Sequence, residues 1–289
     1  MQTFTNTNKP KPSGFSFRKP FSGTKRGRRG ISFSIDKRQK FVIGIIALSI
    51  GLFAAEYQFT KSGFYIAIFL SLFTNLFLLW AIYQDVRENK SYPVFILPLF
   101  YSLAFALFYF LTPAVFISRL LLTVVFAFGL YSLFLSQNIF IVSSVRTIQL
   151  LSGARIVSFV IALVSFFLLS NIVFTLHATL FPVIVLMIFY TYFLIYHSLW
   201  TYSLQKGSQP LTLWVSALTV CIVEAGALLW FWPSSPTVIA LFLTGFFYTL
   251  VGLSHIWFEK RLFKGILWEY VWVGCIVFCV LLSFTQWGK

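Results

Sequence analysis

The apolar residues of this chain come in long uninterrupted blocks, such as "FYIAIFLSLFTNLFLLWAIY". Each block is close to the about twenty residues that cross a bilayer core as a helix. In hydrocarbon every backbone N–H and C=O must find its partner within the protein, which leaves only helices and closed barrels. A barrel strand alternates polar and apolar residues, and these blocks do not. The expected fold is therefore all-α, a polytopic transmembrane helix bundle. Composition agrees: 59% of the residues are hydrophobic and only 10% charged, against about a quarter charged in soluble domains. So few charges cannot cover a water-soluble fold of 289 residues.

The breaks between blocks predict nine spans, at about 41–59, 63–83, 93–111, 114–136, 156–176, 181–202, 211–232, 237–258 and 265–286. Pro93 suits a first helical turn, the charged "QDVRENKSY" (84–92) reads as a turn, and "PSSP" (233–236) as another. Residues 137–155 are less apolar and read as a short amphipathic interfacial helix, with Ile141, Val145 and Ile148 on one face and Arg146 and Gln149 on another. The loops are short and there is no water-soluble domain of useful size.

The net charge of +15 is concentrated: residues 1–40 hold 11 of the 22 Lys and Arg and one acid, Asp36. Rich in Pro, Gly and Ser, this tail is expected to be a disordered cytoplasmic segment preceding the transmembrane domain, 41–289. Its Pro and Gly spoil the amphipathic helix of a transit peptide, and it is too long before the first block for a signal peptide. With the N-terminus inside, the tail and segments 84–92, 137–155, 203–210 and 259–264 carry 19 Lys and Arg. The other side holds only Lys61 and Lys289. Nine spans thus satisfy the positive-inside rule at every loop and place the C-terminus outside. Beyond orientation, the tail is expected to meet anionic lipid headgroups, with nucleic acid a weaker reading of the same charge.

Ionisable residues within spans are costly and are the first functional candidates. Arg119 in span four lies roughly 8 Å, and Glu224 in span seven roughly 12 Å, from the outer boundary at 1.5 Å per residue. The two are expected at similar depth and could pair, with Asn171 of span five and Glu56 of span one in the same outer half. Ala217, Cys221 and Ala225 recur at four-residue spacing beside Glu224, a face suited to close helix packing that would turn the carboxyl towards protein or a cavity. Such a site could hold a substrate, an ion or a proton, or be a structural bridge. A second group lies near the inner boundary: His197, His255 and Glu269. His255 and Glu269 sit on consecutive spans, so a His–carboxylate contact is expected, for proton movement or as an interfacial polar contact. His177 falls in an outer turn and reads as solvated.

No metal or cofactor pattern stands out. Cys221, Cys275 and Cys279 all fall inside spans, without the four-ligand spacing of a zinc site, and read as buried small residues. G-x-S-x-G and H-E-x-x-H are absent.

The stretches "EAGALLWFWP" and "GFFYTLVGLSHIWFEKRLFKGILWEY" in the C-terminal third resemble an uncharacterised family of bacterial multi-pass membrane proteins. The matching positions are Glu224, Glu259, Arg261 and Glu269. The resemblance implies a bacterial cytoplasmic membrane and no particular activity. Three functions stay open: transport or flipping of a small or lipidic molecule, an intramembrane enzyme on lipid-linked substrates, and a structural or assembly protein using its basic tail. Transport asks least of the missing motifs. Pro98, Gly226, Gly245 and Gly252 are the places where a transporter's helices could be broken.

Overall fold

The computed structural model describes residues 37–58, 63–89, 91–112, 115–143, 150–203, 211–260 and 263–285. The described residues belong to one compact unit, Ile35–Lys289. The tail up to residue 36 lies outside them, whereas Lys37, Arg38 and Lys40 open the first helix rather than end a tail.

Among the described residues there are no strands, and nine α-helices follow one another: α1 (Lys37–Gln58), α2 (Gly63–Asn89), α3 (Ile96–Leu111), α4 (Phe116–Ser143), α5 (Leu151–Thr175), α6 (Leu180–Ser203), α7 (Leu211–Trp230), α8 (Pro236–Phe258) and α9 (Lys264–Ser283). A 3-10 turn, Tyr92–Phe95, leads into α3. Eight helices, α2 to α9, are long and apolar enough to cross a membrane. Their outward surface is apolar too: Phe181 is 78% exposed, and Phe128 and Leu228 are 74% exposed. A soluble monomer does not present such a belt. The protein is a multi-pass membrane protein.

Two stretches expected to lie between spans partly continue the long helices instead. The charged stretch after residue 83 continues α2 to Asn89 through a kink at Ile82 (φ −116°, ψ 17°). Asp85 on that extension takes Lys37 at 2.7 Å, which ties the end of α2 to the start of α1. The expected interfacial helix over 137–155 is not a separate element among the described residues. Residues 137–143 complete α4 and 151–155 begin α5, while 144–149, with Val145, Arg146, Ile148 and Gln149, lie outside the described part. The reason is burial. Gln137 and Ile141 are 0% exposed and face neighbouring helices rather than an interface.

Consecutive helices pack antiparallel around α5, whose chief neighbours are α3, α4, α6 and α8. Phe166 of α5 joins Tyr190 of α6 and Phe247 of α8 at its centre, with ring centroids 5.5 and 4.5 Å apart. Glycines set the close approaches. A Cβ on Gly245 would lie 2.6 Å from Val277, and one on Gly252 2.5 Å from Tyr270. Both pairs are seven residues apart and run in opposite directions, so α9 lies antiparallel along one glycine seam of α8. Gly226 likewise accommodates Met187. These glycines are packing sites in unbroken helices, not the weak points expected of them, and Pro98 falls in the first turn of α3, where its missing N–H costs nothing.

Gly129 of α4 lets the Tyr101 hydroxyl reach the carbonyls of Val125 and Phe126, at 3.3 and 3.1 Å. A Cβ there would overlap that hydroxyl and lie 2.9 Å from Cζ. Gly129→Ala is expected to destabilise the fold by about 1–3 kcal/mol. Tyr101→Phe on the same background should recover part of the loss. Thermal midpoints in nanodiscs check both; a G129A midpoint equal to wild type would show that α3 and α4 are not this close.

Candidate functional site

The chain's polar chemistry collects at the two ends of the bundle. At one end stand the starts of α1, α5 and α9 and the ends of α2, α6 and α8. Apart from Arg119, every Lys and Arg among the described residues lies there. Arg119 lies at the opposite end, one turn into α4.

Arg119 lines a large groove. The groove, of about 760 Å³, runs between α2, α3, α5 and α6. Its inner wall is buried: Phe100, Leu169, Ile172 and Tyr190 are 3–5% exposed. Its rim is open: Phe64, Leu72, Leu176 and Phe189 are 52–62% exposed. The groove therefore opens sideways, through the apolar belt, rather than only at its end. Its hydroxyls are already engaged within the protein. Ser71 donates to the Ile68 carbonyl at 2.8 Å, Thr112 to that of Phe108 at 2.8 Å, and Tyr190 shares a hydrogen bond with Ser170 at 2.9 Å. Among the described lining residues Arg119 supplies the charge.

The basic end holds a compact polar layer. Arg155, in the first turn of α5, donates from Nε to the Thr201 carbonyl in the last turn of α6 at 3.1 Å. Its guanidinium lies 4.6 Å over the Tyr202 ring and 3.7 Å from Glu259 just beyond α8. A cation at a helix C-terminus answers both the open carbonyls and the dipole. Tyr202 stacks on His255 of α8, with centroids 4.2 Å apart and planes at 16°, and His255 Nε2 is 3.0 Å from Ser198 Oγ. One residue earlier, His197 Nε2 meets Gln137 Oε1 of α4 at 3.3 Å. Gln137, His197, Ser198 and His255 are buried, and Tyr202 is half-buried. Gln137 Nε2 and His197 Nδ1 have no hydrogen-bond partner among the described residues.

Several expected contacts are replaced by others. Arg119 and Glu224 are not brought together: α4 packs chiefly on α1, α2, α3 and α5, and α7 on α6 and α8. Glu224 is exposed, and so are Ala217 and Cys221. The small-residue face of α7 points outward, because the helix packs through Val215, Leu218, Ile222 and Gly226 instead. Cys275 and Cys279 are exposed too, against the expectation of burial. Asn171 is buried and donates to Thr237 of α8 at 3.1 Å, a tie between helices away from Arg119. Glu56 lies in the last turn of α1, and its side chain is outside the described part. His255 does not take Glu269, which is exposed on α9; its ring faces α5 and α6, against Phe159 and Tyr202. His177 is exposed, with Nδ1 2.7 Å from the Thr175 carbonyl. Sequence reading missed Arg155, Ser198, Tyr202 and Gln137. The available signal was position: Arg155, Tyr202 and Glu259 all fall at span ends on one side of an alternating bundle.

The worth of Arg155 is expected to lie in Thr201 and Tyr202 rather than in Glu259. A pair at 3.7 Å whose carboxylate side chain is 36% exposed is screened by solvent, so Glu259→Gln should cost less than about 1 kcal/mol. Arg155→Lys keeps the charge but loses the planar stack and fork, and should cost more. Denaturation midpoints of the two variants check the order, and the reverse order would make the ion pair the main tie.

No curated protein and no solved structure matches the chain. A family match fits the expectation of an uncharacterised family and runs almost from the start of α1 to the end of α9, well beyond the C-terminal third. Residues 43–284 match the family described as "Protein of unknown function (DUF5656)", and the chain belongs to it.

Proposed function

We propose that this protein takes a lipidic molecule from the bilayer into the groove beside Arg119 and moves it, as a transporter or flippase. The sideways opening carries this reading: an apolar site entered through the lipid-facing belt suits a ligand that already resides in the membrane. Open space at one end and an interlocked polar layer at the other also fit a carrier with access from one side at a time. In the same reading all nine helices span the membrane, with the basic end cytoplasmic. Lys37, Arg87, Arg155, Lys260 and Lys264 support that orientation. The basic tail then meets the anionic inner leaflet, and the resemblance of the C-terminal third favours a bacterial cytoplasmic membrane.

The full chain in liposomes with a tail-labelled fluorescent lipid should move label between leaflets faster than protein-free vesicles, read by a membrane-impermeant quencher. Leu107→Trp, which fills the groove, should reduce that rate several-fold. Movement at the protein-free rate across lipid classes would sink the proposal.

One contact favours a second reading, hydrolysis of a lipid-linked substrate. Ser198 Oγ lies 3.0 Å from His255 Nε2, and the ring is held by Tyr202. A hydroxyl, a base and a group orienting the base are the parts of an activated nucleophile. A serine-directed fluorophosphonate probe should then label the wild type but not Ser198→Ala. Absence of labelling in folded wild type would leave the contact as a helix–helix hydrogen bond.

A further inference from the structure

The lining of the groove narrows the class of lipid it takes. Resting on the lipid-handling reading above, we infer that the occupant is an anionic lipid, its negatively charged headgroup at Arg119 and its acyl chain running inward between α3 and α5. The polarity of the walls sets this orientation. Ser71, Thr112 and Tyr190 each already have a hydrogen bond within the protein, so along its length the groove offers a tail hydrocarbon and aromatic surface. A ligand with a hydrogen-bond acceptor midway would find the Ser71 proton already donated and would have to bury that acceptor without a partner, which is costly. The charged side chain stands at one end of the groove, in the first turn of α4.

The dimensions fit one leaflet. From Leu99 to Thr112 the groove follows α3 for thirteen residues, roughly 20 Å at 1.5 Å per residue. That is about half of a bilayer some 40 Å thick with its interfaces. A chain that starts at the headgroup layer and ends near the midplane fills this length; a compact polar solute does not. Gly63 lines the mouth, where its backbone packs so closely on Phe110 that a Cβ would lie 3.0 Å from that ring. A guanidinium offers a phosphate or carboxylate several donors in a fixed fork, which a zwitterionic headgroup's outer cation would oppose.

The test uses the full chain in nanodiscs with two photoactivatable lipids that share the same diazirine-bearing tail, a phosphatidylglycerol and a phosphatidylcholine. The phosphatidylglycerol probe should cross-link to Leu103 and Leu107 of α3 and Ile172 of α5 several-fold more than the phosphatidylcholine probe. Unlabelled phosphatidylglycerol should compete better than unlabelled phosphatidylcholine. Arg119→Gln should lower phosphatidylglycerol cross-linking about tenfold, the loss expected for one charge-assisted hydrogen bond, and Arg119→Lys should keep most of the preference. Equal cross-linking and equal competition by both lipids in wild type would overturn the headgroup inference while leaving a lipid in the groove. Cross-linking of neither lipid above the level of Leu107→Trp would overturn this inference and the lipid-handling reading together. The wild-type competition needs no variant to fold.

Discussion

A backbone amide in hydrocarbon has no water to turn to, and the rest of this structure follows from that constraint. It makes every span a helix, and it also disposes of most side-chain hydroxyls. Thr74, Thr123, Ser136, Ser165, Thr219, Thr244, Ser254 and Ser283 each donate to the carbonyl four residues earlier in their own helix. Such back-bonds satisfy the hydroxyl locally. A Ser or Thr within a span therefore says little about function. The polar groups that reach another helix stand out against that background: Thr74 with Ser102, Ser170 with Tyr190, Asn171 with Thr237, Ser198 with His255.

The same solvent explains which parts of the fold were legible. The count and limits of the helices follow from block length and from Pro, Gly and charge at the breaks, and most limits fall within a few residues of the expected ones. The exceptions lie where charged or amide residues continue a helix because they have found a partner. Asp85 extends α2 by meeting Lys37, and Gln137 extends α4 by meeting His197. In both cases a polar residue reads as the end of a span until its partner, 48 or 60 residues away, is known.

Which way a helix faces was much less legible. In water the buried face of a helix is its apolar face; in lipid both faces are apolar, so that signal is lost. Small residues are a weaker substitute, and α7 shows how it misleads. Ala217 and Cys221 line up at the right spacing, yet the helix packs through Gly226 and the branched residues Val215 and Ile222. The Arg119–Glu224 pairing rested on similar depth, and depth says nothing about rotation. His255 and Glu269 failed for the same reason: they sit on neighbouring helices but face different sides.

Arg119 and Arg155 illustrate how position gives equal charges different roles. Arg155 lies at a helix start where two helix ends and a tyrosine ring converge, so its Nε and its plane help to hold α5, α6 and α8 together. Arg119 lies a turn into α4 and lines a groove whose hydroxyls have hydrogen bonds within the protein. A guanidinium at one end of a hydrocarbon-walled groove and another locking the far end of the bundle divide the protein into a half built to accommodate and a half built to hold. Two helices serve both ends: α5 and α6 wall the groove with α2 and α3, and they carry the polar layer with α8. In the proposed transport, a shift of α5 along its axis would act on both ends at once and supply the mechanical link that alternating access needs.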